Sequence, residues 1–334
     1  MATADITVMG AGAFGLSVAY ACARRGAKVR VIDPNGVASG ASGGLVGALA
    51  PHVPENWNDK KAFQLDSLLM AEGFWAEVAE RSGMETGYGR SGRLQPLADE
   101  RAVGLARQRA ETAKTLWQGR AVWEVISNAP DAWAPPSPTG LWVRDTLSAL
   151  LHPRKATAAL AAAVQSLGGE ILSDAAQEGR VVWATGWQGL AEVGGAGVKG
   201  QAALLAYDAR HAPQIFADSL HIIPHLDGTA AIGSTSERDF EQADTTDNQL
   251  DEIIARARAV MPLLHEAKVI ARWAGVRPRA KSRAPILGPH PARTGEYIAN
   301  GGFKIGFGMA PKVGDVMADL LLNGADTIPA GFKP

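Results

Sequence analysis

The sequence predicts an α/β protein of two interwoven lobes, one built on a Rossmann-like β-α-β unit and the other rich in strands. Three observations carry that prediction. A glycine-rich turn, Gly10-Ala11-Gly12-Ala13-Phe14-Gly15, stands between a short apolar run and a helix-like stretch. Asp227-Gly228 separates two apolar runs, and a second glycine-rich loop, Asn300–Gly308, feeds a terminal helix. A length of 334 residues supports about two domains, and 46% apolar against 20% charged residues is the composition of a globular chain with a sizeable core.

Taken in order, Ile6–Met9 is an apolar run closed by Gly10, residues 16–25 suit a buried helix, and residues 28–32 are strand-like again. Parallel strands need such a crossover. The uncharged stretch from Ile6 to Ala23 approaches the length of a membrane span. Asp5 precedes it and Arg24-Arg25 follow it, however, the reverse of a secretory signal. Residues 35–50, dominated by Gly, Ala and Ser, read as a close-packed loop. Helical patterns follow at 61–82, 99–117 and 152–167, and the proline-rich stretch 130–138 reads as a surface connection. Strand-like runs appear at 179–184, 201–206, 220–224, 230–233 and 268–276. The pair flanking Asp227-Gly228 predicts a hairpin, because this dipeptide supplies the positive backbone angles of a tight turn. Helices over 248–260 and 313–322 complete the sketch.

Charge and cysteine usage exclude several classes of function. Lysine and arginine number 33 against 34 acids, so no long-range field favours nucleic acid or a membrane surface. The lone Cys22 cannot form an internal disulfide and fits a reducing cytoplasm. His52, His225, His265 and His290 lack the spacing of metal ligands, and neither a P-loop nor a GxSxG elbow occurs.

The first glycine motif carries the strongest chemical signal. Gly10 makes the turn, Gly12 lets the backbone approach a pyrophosphate, and Gly15 lets helix and strand pack closely. The N-terminus of the helix that follows, with Ala13 and Phe14 of the motif leading into it, offers free amides and a positive pole to an anion. Asp33, at the end of the second strand, is placed to accept from ribose hydroxyls. These features predict an ADP-containing dinucleotide and leave NAD and FAD both open. In Ser39–Ala48, small residues let the backbone at Val46, Gly47 and Ala48 run against a long ligand, and the Ser42 hydroxyl can bond phosphate. At the other terminus, Gly302-Phe303-Lys304-Ile305-Gly306-Phe307-Gly308 repeats the physics of the first site, an amide-lined positive pole suited to negative charge on a reduced flavin ring.

The opening motif, ASGGLVGALAP at 41–51, Val198-Lys199-Gly200-Gln201, HIIPHLDGTAAIGST at 221–235, WAGVRP at 273–278 and GGFKIGFGMAP at 301–311 occur in an order that resembles the D-amino-acid oxidase superfamily, most closely its glycine oxidase branch. The resemblance covers nearly the whole chain. It implies non-covalent FAD, extended along a Rossmann-like domain of glutathione-reductase type made of residues 1–85, 146–195 and 273–334. A second domain on a mixed or antiparallel sheet, residues 86–145 and 196–272, would bind substrate. The implied reaction takes a hydride from the α-carbon of a small amino acid or amine (glycine, sarcosine or a D-amino acid) to the flavin, with dioxygen as acceptor. Arg277 matches the arginine that pairs with the substrate carboxylate, and a guanidinium offers that group a planar fork. Lys304 stands where glycine oxidases carry a second arginine and His221 where they carry a tyrosine, so the implied substrate need not be glycine. The interval between Ile171 and Val181 is much shorter than the family's, which carries a strand excursion near the adenine end. A dehydrogenase, a tRNA-modifying enzyme of the same superfamily and a non-catalytic FAD-binding protein stay open as alternatives, as does the oligomeric state.

Overall fold

Ile6, Val8, Val29 and Val31 suit a pleated, buried surface, and the two short runs that carry them pair in parallel. β1 (Ile6–Met9) lies beside β2 (Val29–Ile32), with Ile6 opposite Val29 and Met9 opposite Ile32. Its other edge takes β9 (Arg180–Trp183). With β8 (Glu170–Leu172), β16 (Tyr297–Asn300) and β15 (Ile286–Pro289) they form a six-stranded sheet in the order β15-β16-β9-β1-β2-β8. Its neighbours are parallel except in the β15/β16 hairpin. The computed structural model describes residues 3–128 and 132–334, so Pro130, at the start of the expected surface connection, lies outside the described residues.

The apolar stretch from Ile6 is therefore half strand and half helix: α1 (Ala13–Arg24) is the crossover from β1 to β2. Among the described residues no helix is long and apolar enough to cross a membrane. α1 packs with α2 (Asp59–Ser82), α4 (Pro153–Ser166) and α7 (Gly306–Ala318). They share one core with the sheet, to which Val8, Leu16, Trp75, Leu160 and Val313 belong, each stabilising the fold by about 1.5–3 kcal/mol through burial. Local chemistry sets the helix limits. Asn58 and Asp99 accept from the amides of Lys61 and Ala102 as N-caps, and Gly83 ends α2 in the left-handed conformation at φ +67°.

The second sheet has eight strands, β14 (Lys268–Arg279), β10 (Ala196–Ala206), β13 (Ala230–Gly233), β12 (Leu220–Pro224), β11 (Gln214–Ala217), β4 (Arg93–Pro96), β6 (Trp142–Asp145) and β5 (Trp123–Ile126), in that spatial order. Only β4 and β11 pair in parallel. α6 (Asn248–Val260) packs on β10, β12 and β13, α3 (Glu100–Leu116) on β5, and α5 (Gly186–Ala191) on β10 and β14. A short ladder of β3 (Ala48–Leu49) and β7 (Ala149–Leu150) stands apart from both sheets.

Several expectations are corrected in detail. The boundary at 272/273 falls inside β14, which pairs with β10 as one ladder from Lys268 to Arg279. The proline-rich connection is not wholly at the surface: Trp133 is buried, stacks on Tyr207 at 5.7 Å and donates from Nε1 to the Pro213 carbonyl at 2.8 Å. The β12/β13 turn is wider than the Asp-Gly signal implies, since the His225 amide bonds the Thr229 carbonyl and only Gly228 takes a positive φ, +84°. The terminal helix starts at Gly306, seven residues before the expected Val313, and Pro311 lies inside it. Proline forfeits one backbone hydrogen bond, but burial of α7 against α1 and α2 outweighs that local signal.

The α1/α7 crossing depends on an absent side chain. A Cβ at Gly314 would stand 2.5 Å from the carbonyl oxygen of Ser17, so the helix backbones approach directly. Gly314→Ala is expected to lower the unfolding free energy by about 1–3 kcal/mol, read as a reduced urea midpoint at unchanged slope. Gly331→Ala, where a Cβ meets only open space, should leave the midpoint nearly unmoved.

Candidate active site

Between the two sheets runs one cavity of about 1010 Å³, lined by the first glycine turn, the loop after β2, the start of α5, the cavity-facing part of β14 and the closing glycine loop. Its geometry begins at Gly10, where φ is +110° and a Cβ would lie 2.4 Å from the Ala184 carbonyl oxygen. A Cβ at Gly15 would lie 2.0 Å from the carbonyl of Gly10. These two glycines therefore serve backbone packing, whereas Gly12 opens on the cavity, with only the Ser42 hydroxyl near its absent side chain at 3.2 Å. Asp33 braces the turn. Its Oδ2 accepts from the Ala11 amide at 2.8 Å and its Oδ1 from the Asn35 amide at 3.0 Å, while the residue lines the cavity. The first turn of α1 itself contains no acid, and Asp33 is the carboxylate at its mouth, bonded to the Ala11 amide. Ser42 does more than present a hydroxyl, because its Oγ accepts from the Ala13 amide at 2.9 Å and so caps α1.

The loop through Val46, Gly47 and Ala48 lines the cavity and is pinned from behind. Arg154 Nε donates to the Gly43 carbonyl at 2.8 Å, and His225 Nε2 meets the Leu45 carbonyl at 2.8 Å. At Gly47, φ is +67° and a Cβ would clash with the Leu151 carbonyl at 1.9 Å. The closing loop reaches the same cavity through Gly302, Phe303, Lys304, Gly306 and Phe307. Gly302 lies against the ring of Phe14, 2.6 Å from where its Cβ would be, so the two glycine-rich segments touch. Of the residues expected to contact a cofactor, Gly15, Ile305 and Gly308 do not line the cavity: Gly15 packs on Gly10, Ile305 precedes the first turn of α7, and Gly308 faces Leu68.

At the cavity's far end stand Arg277, Lys304 and His221, brought together from β14, the closing loop and β12. The Arg277 guanidinium lies over Gly200, where any Cβ would meet its nitrogens at 2.0 Å. Nη2 donates to Ser234 Oγ at 2.5 Å and Nη1 to the Thr235 carbonyl at 3.3 Å. Arg277 keeps some accessible surface toward the cavity, yet protein surrounds it enough that burial pulls its pKa down to about 10, against the opposing pull of Glu237. It is a cation at neutral pH. Lys304 is exposed at the mouth in a left-handed conformation, φ +62°. Burial of its ammonium end, then Arg277 and Arg283, lower its pKa. His221 packs on Phe216, ring centroids 4.8 Å apart, and its Nδ1 has no partner among the described residues. Burial first, then Arg93 and Lys304, push its pKa down to about 3, so it is a neutral hydrogen-bonding group.

Sequence reasoning missed Thr185, Gly186, Trp187 and Gln188, a third helix start on the cavity, and Phe216, Ser219, Ser234 and Trp273, which also line it. Ala184-Thr185-Gly186 directly after a strand was the available signal for the first group. Ser219 sits in a two-residue turn, Asp218-Ser219, with both φ positive and no glycine to announce it. The shortened interval between Ile171 and Val181 does not line the cavity. No group of three or more His, Cys, Asp or Glu placed to hold a metal occurs among the described residues.

The buried histidine has a consequence for acid stability. With a folded pKa near 3 and an unfolded value of 6.5, His221 takes up its proton in the unfolded chain first, so stability is full above pH 6.5 and falls as pH drops toward 3. His221→Gln is expected to flatten the loss of melting temperature between pH 6.5 and 4 in a thermal scan, with little change at pH 8.

Comparison with known proteins agrees with this geometry. A glycine oxidase of Geobacillus kaustophilus (strain HTA426) is 25% identical across 95% of this chain and 92% of its own length. The glycine oxidase of Pseudomonas putida is 34% identical over a shorter stretch, 41% of this chain and 38% of its own. Among solved structures, glycine oxidase from Geobacillus kaustophilus superposes with a TM-score of 0.85 at 21% identity, over 99% of this chain and 98% of that one. Iminodiacetate oxidase from Chelativorans sp. BNC1 superposes with a TM-score of 0.82 at 22% identity, covering 98% of both. The family model for FAD dependent oxidoreductases, DAO, matches residues 5–320, and the chain belongs to that family.

Proposed function

We propose that this protein is an FAD-dependent oxidase of a small amino acid or amine, converting amine, water and dioxygen into oxo acid, ammonia and hydrogen peroxide. The observation that carries the reading is the single cavity joining the Gly10–Phe14 helix start to Arg277. Its volume, about 1010 Å³, has room for a dinucleotide and a small substrate together, and its glycine-lined approaches fit a pyrophosphate. Gly10, Gly12, Ala13, Phe14, Asp33, Ser42, Val46, Gly47 and Ala48 would hold the ADP half. Gly302, Phe303, Lys304, Gly306 and Phe307 would border the ring. The lone Cys22 is buried in α1 and does not line the cavity, which leaves no cysteine for a link to the flavin and supports the non-covalent binding assigned here. The six-stranded sheet would carry the cofactor, and the eight-stranded sheet, with β14 through Arg279, the substrate.

FAD, when bound, supplies the acceptor for the substrate's hydride. The chain's own task is to orient. Arg277 has donors left beyond those spent on Ser234 and Thr235, and these would grip a carboxylate. Fixing the carboxylate turns a two-body encounter into an oriented one. Lys304 adds a second positive charge at the mouth, and the unpartnered His221 Nδ1 is a neutral partner for an amine or a further polar group. A base depressed to about pKa 3 is a poor proton acceptor, so His221 would orient the substrate without deprotonating it. The relatives' names, glycine oxidase and iminodiacetate oxidase, support small carboxylated amines as the substrate class. The near-neutral charge count and localisation in the cytoplasm remain consistent parts of the same reading.

Two experiments test it. Peroxide release from glycine, sarcosine, iminodiacetate and D-alanine should identify a substrate, and Arg277→Ala should raise its apparent KM at least about a hundredfold, the loss expected for a paired carboxylate; an unchanged KM for every carboxylated amine would remove Arg277 from the site. Gly10→Ala forces a side chain into the Ala184 carbonyl and should weaken FAD binding by about tenfold or more, measured by quenching of FAD fluorescence on titration.

A further inference from the structure

Behind Arg277, on the opposite face of the sheet, lies a buried polar cluster that the reaction above does not use. Lys199 is 4% exposed and Gln201 fully buried, and the side chain of Glu237 is 8% exposed. Lys199 Nζ lies 3.6 Å from Glu237 Oε2 and 3.9 Å from Asp247 Oδ2. Gln201 Nε2 donates to Glu237 Oε1 at 3.1 Å and to Asp247 Oδ1 at 2.9 Å, and its Oε1 accepts from the Asp247 amide at 2.9 Å. Thr235 Oγ1 donates to Glu237 Oε1 and accepts from the Gln201 amide at 2.8 Å. Lys199 and Glu237 also exchange both backbone hydrogen bonds, 2.9 and 3.0 Å.

Strand alternation links this cluster to the cavity. Side chains of an extended segment point to opposite faces in turn, so Ser234 faces Arg277 while Thr235 and Glu237 face Lys199 and Gln201. The same four-residue stretch, Ser234–Glu237, thus presents two acceptors to the guanidinium on one face and is clamped through its side chains on the other. Among the described residues the Arg277 guanidinium has no carboxylate hydrogen-bonded to it, only the Ser234 hydroxyl and the Thr235 carbonyl. A hydroxyl and a carbonyl hold its direction and leave its charge for a ligand. We propose that Glu237, clamped by Lys199, Gln201 and Thr235, is a positioning residue that holds Ser234 and the Thr235 carbonyl in place and thereby sets the affinity of Arg277 for the substrate's carboxylate. This rests on the assignment of Arg277 made above.

The test uses the FAD-loaded protein and acetate as the carboxylate probe, its binding read from the flavin's visible spectrum, alongside steady-state kinetics on whichever amine releases peroxide. Glu237→Gln strands a buried Lys199 and can cost folding, so Lys199→Met/Glu237→Gln, which leaves no buried charge in that pair, is measured with it. The expected result in the double variant is an acetate Kd and a substrate KM raised about tenfold, the weakening of one hydrogen bond to a charged group, with kcat at saturation and FAD affinity unchanged. Arg277→Ala should abolish the acetate response, and adding the double substitution to it should change nothing further. Unaltered acetate binding in the double variant, or an equal rise in KM for an amine without a carboxylate, overturns the positioning role while leaving Arg277 as the anchor. An acetate response that survives Arg277→Ala overturns the anchor itself, and the positioning role with it.

Discussion

The structure depends on the close approach of backbone to backbone at positions without a side chain. Gly10 meets the Ala184 carbonyl, Gly15 the Gly10 carbonyl and Gly314 the Ser17 carbonyl, while Gly302 lies against the Phe14 ring, each too near for a Cβ. These contacts tie α1, α5 and α7 to one place, so that three helix starts border a single cavity. Each helix start presents roughly half a positive charge in partial charges on its free amides. Such poles, fixed by backbone packing, need no reorganisation when an anion arrives. A side chain at Gly10, Gly15 or Gly314 would meet a backbone carbonyl and so displace main chain that borders or supports the site.

Two kinds of positive electrostatics divide the cavity. Where the pyrophosphate is expected, the positive field comes from amides, and the carboxylate of Asp33 is occupied by the amides of Ala11 and Asn35. At the other end it comes from the full charges of Arg277 and Lys304. A net charge of -1 over the chain conceals this local arrangement, because charge counts average over surfaces that do not act together. Burial accounts for the protonation states: it leaves Arg277 charged, with its pKa near 10, and His221 neutral, with its pKa near 3. The cavity thus combines a cation with a neutral imidazole, the pairing on which the proposed binding of a carboxylated amine rests.

What could be read in the chain follows how local each feature is. β1, α1 and β2, the Asp33 that ends them, β12, β13 and α6 fall within a residue or a few of their predicted limits, because apolar periodicity, glycine turns and cap residues act over a few positions. Strands β4, β5, β6 and β11 were not legible. Arg93–Pro96 contains Arg, Gln and Pro, and its register is set by pairing with β6 and β11, which are distant in sequence. α7 was shortened in the prediction by Pro311, a local signal overridden by packing on α1. At the site, Gly10, Gly12, Asp33 and the closing loop were legible through their own motifs. Arg277, Lys304 and His221 were legible only through the resemblance of their flanking segments, since a lone arginine, lysine or histidine carries no spacing rule. Ser234 and Trp273 lay inside segments quoted for that resemblance without a role of their own, and Phe216 had no signal at all.

The sequence by itself determined that a strand, a glycine turn and a helix would build an anion-binding start near the N-terminus, and that a similar loop would precede the last helix. Those outcomes are fixed by the conformational freedom of glycine and by short-range amide chemistry. Only the tertiary structure decided that both starts meet, that Arg277 lies over Gly200 within reach of Ser234, and that Lys199 and Glu237 come to share a buried pocket behind it. Such meetings depend on long-range strand register and on the burial that follows from it, and neither quantity is a property of any short stretch of chain.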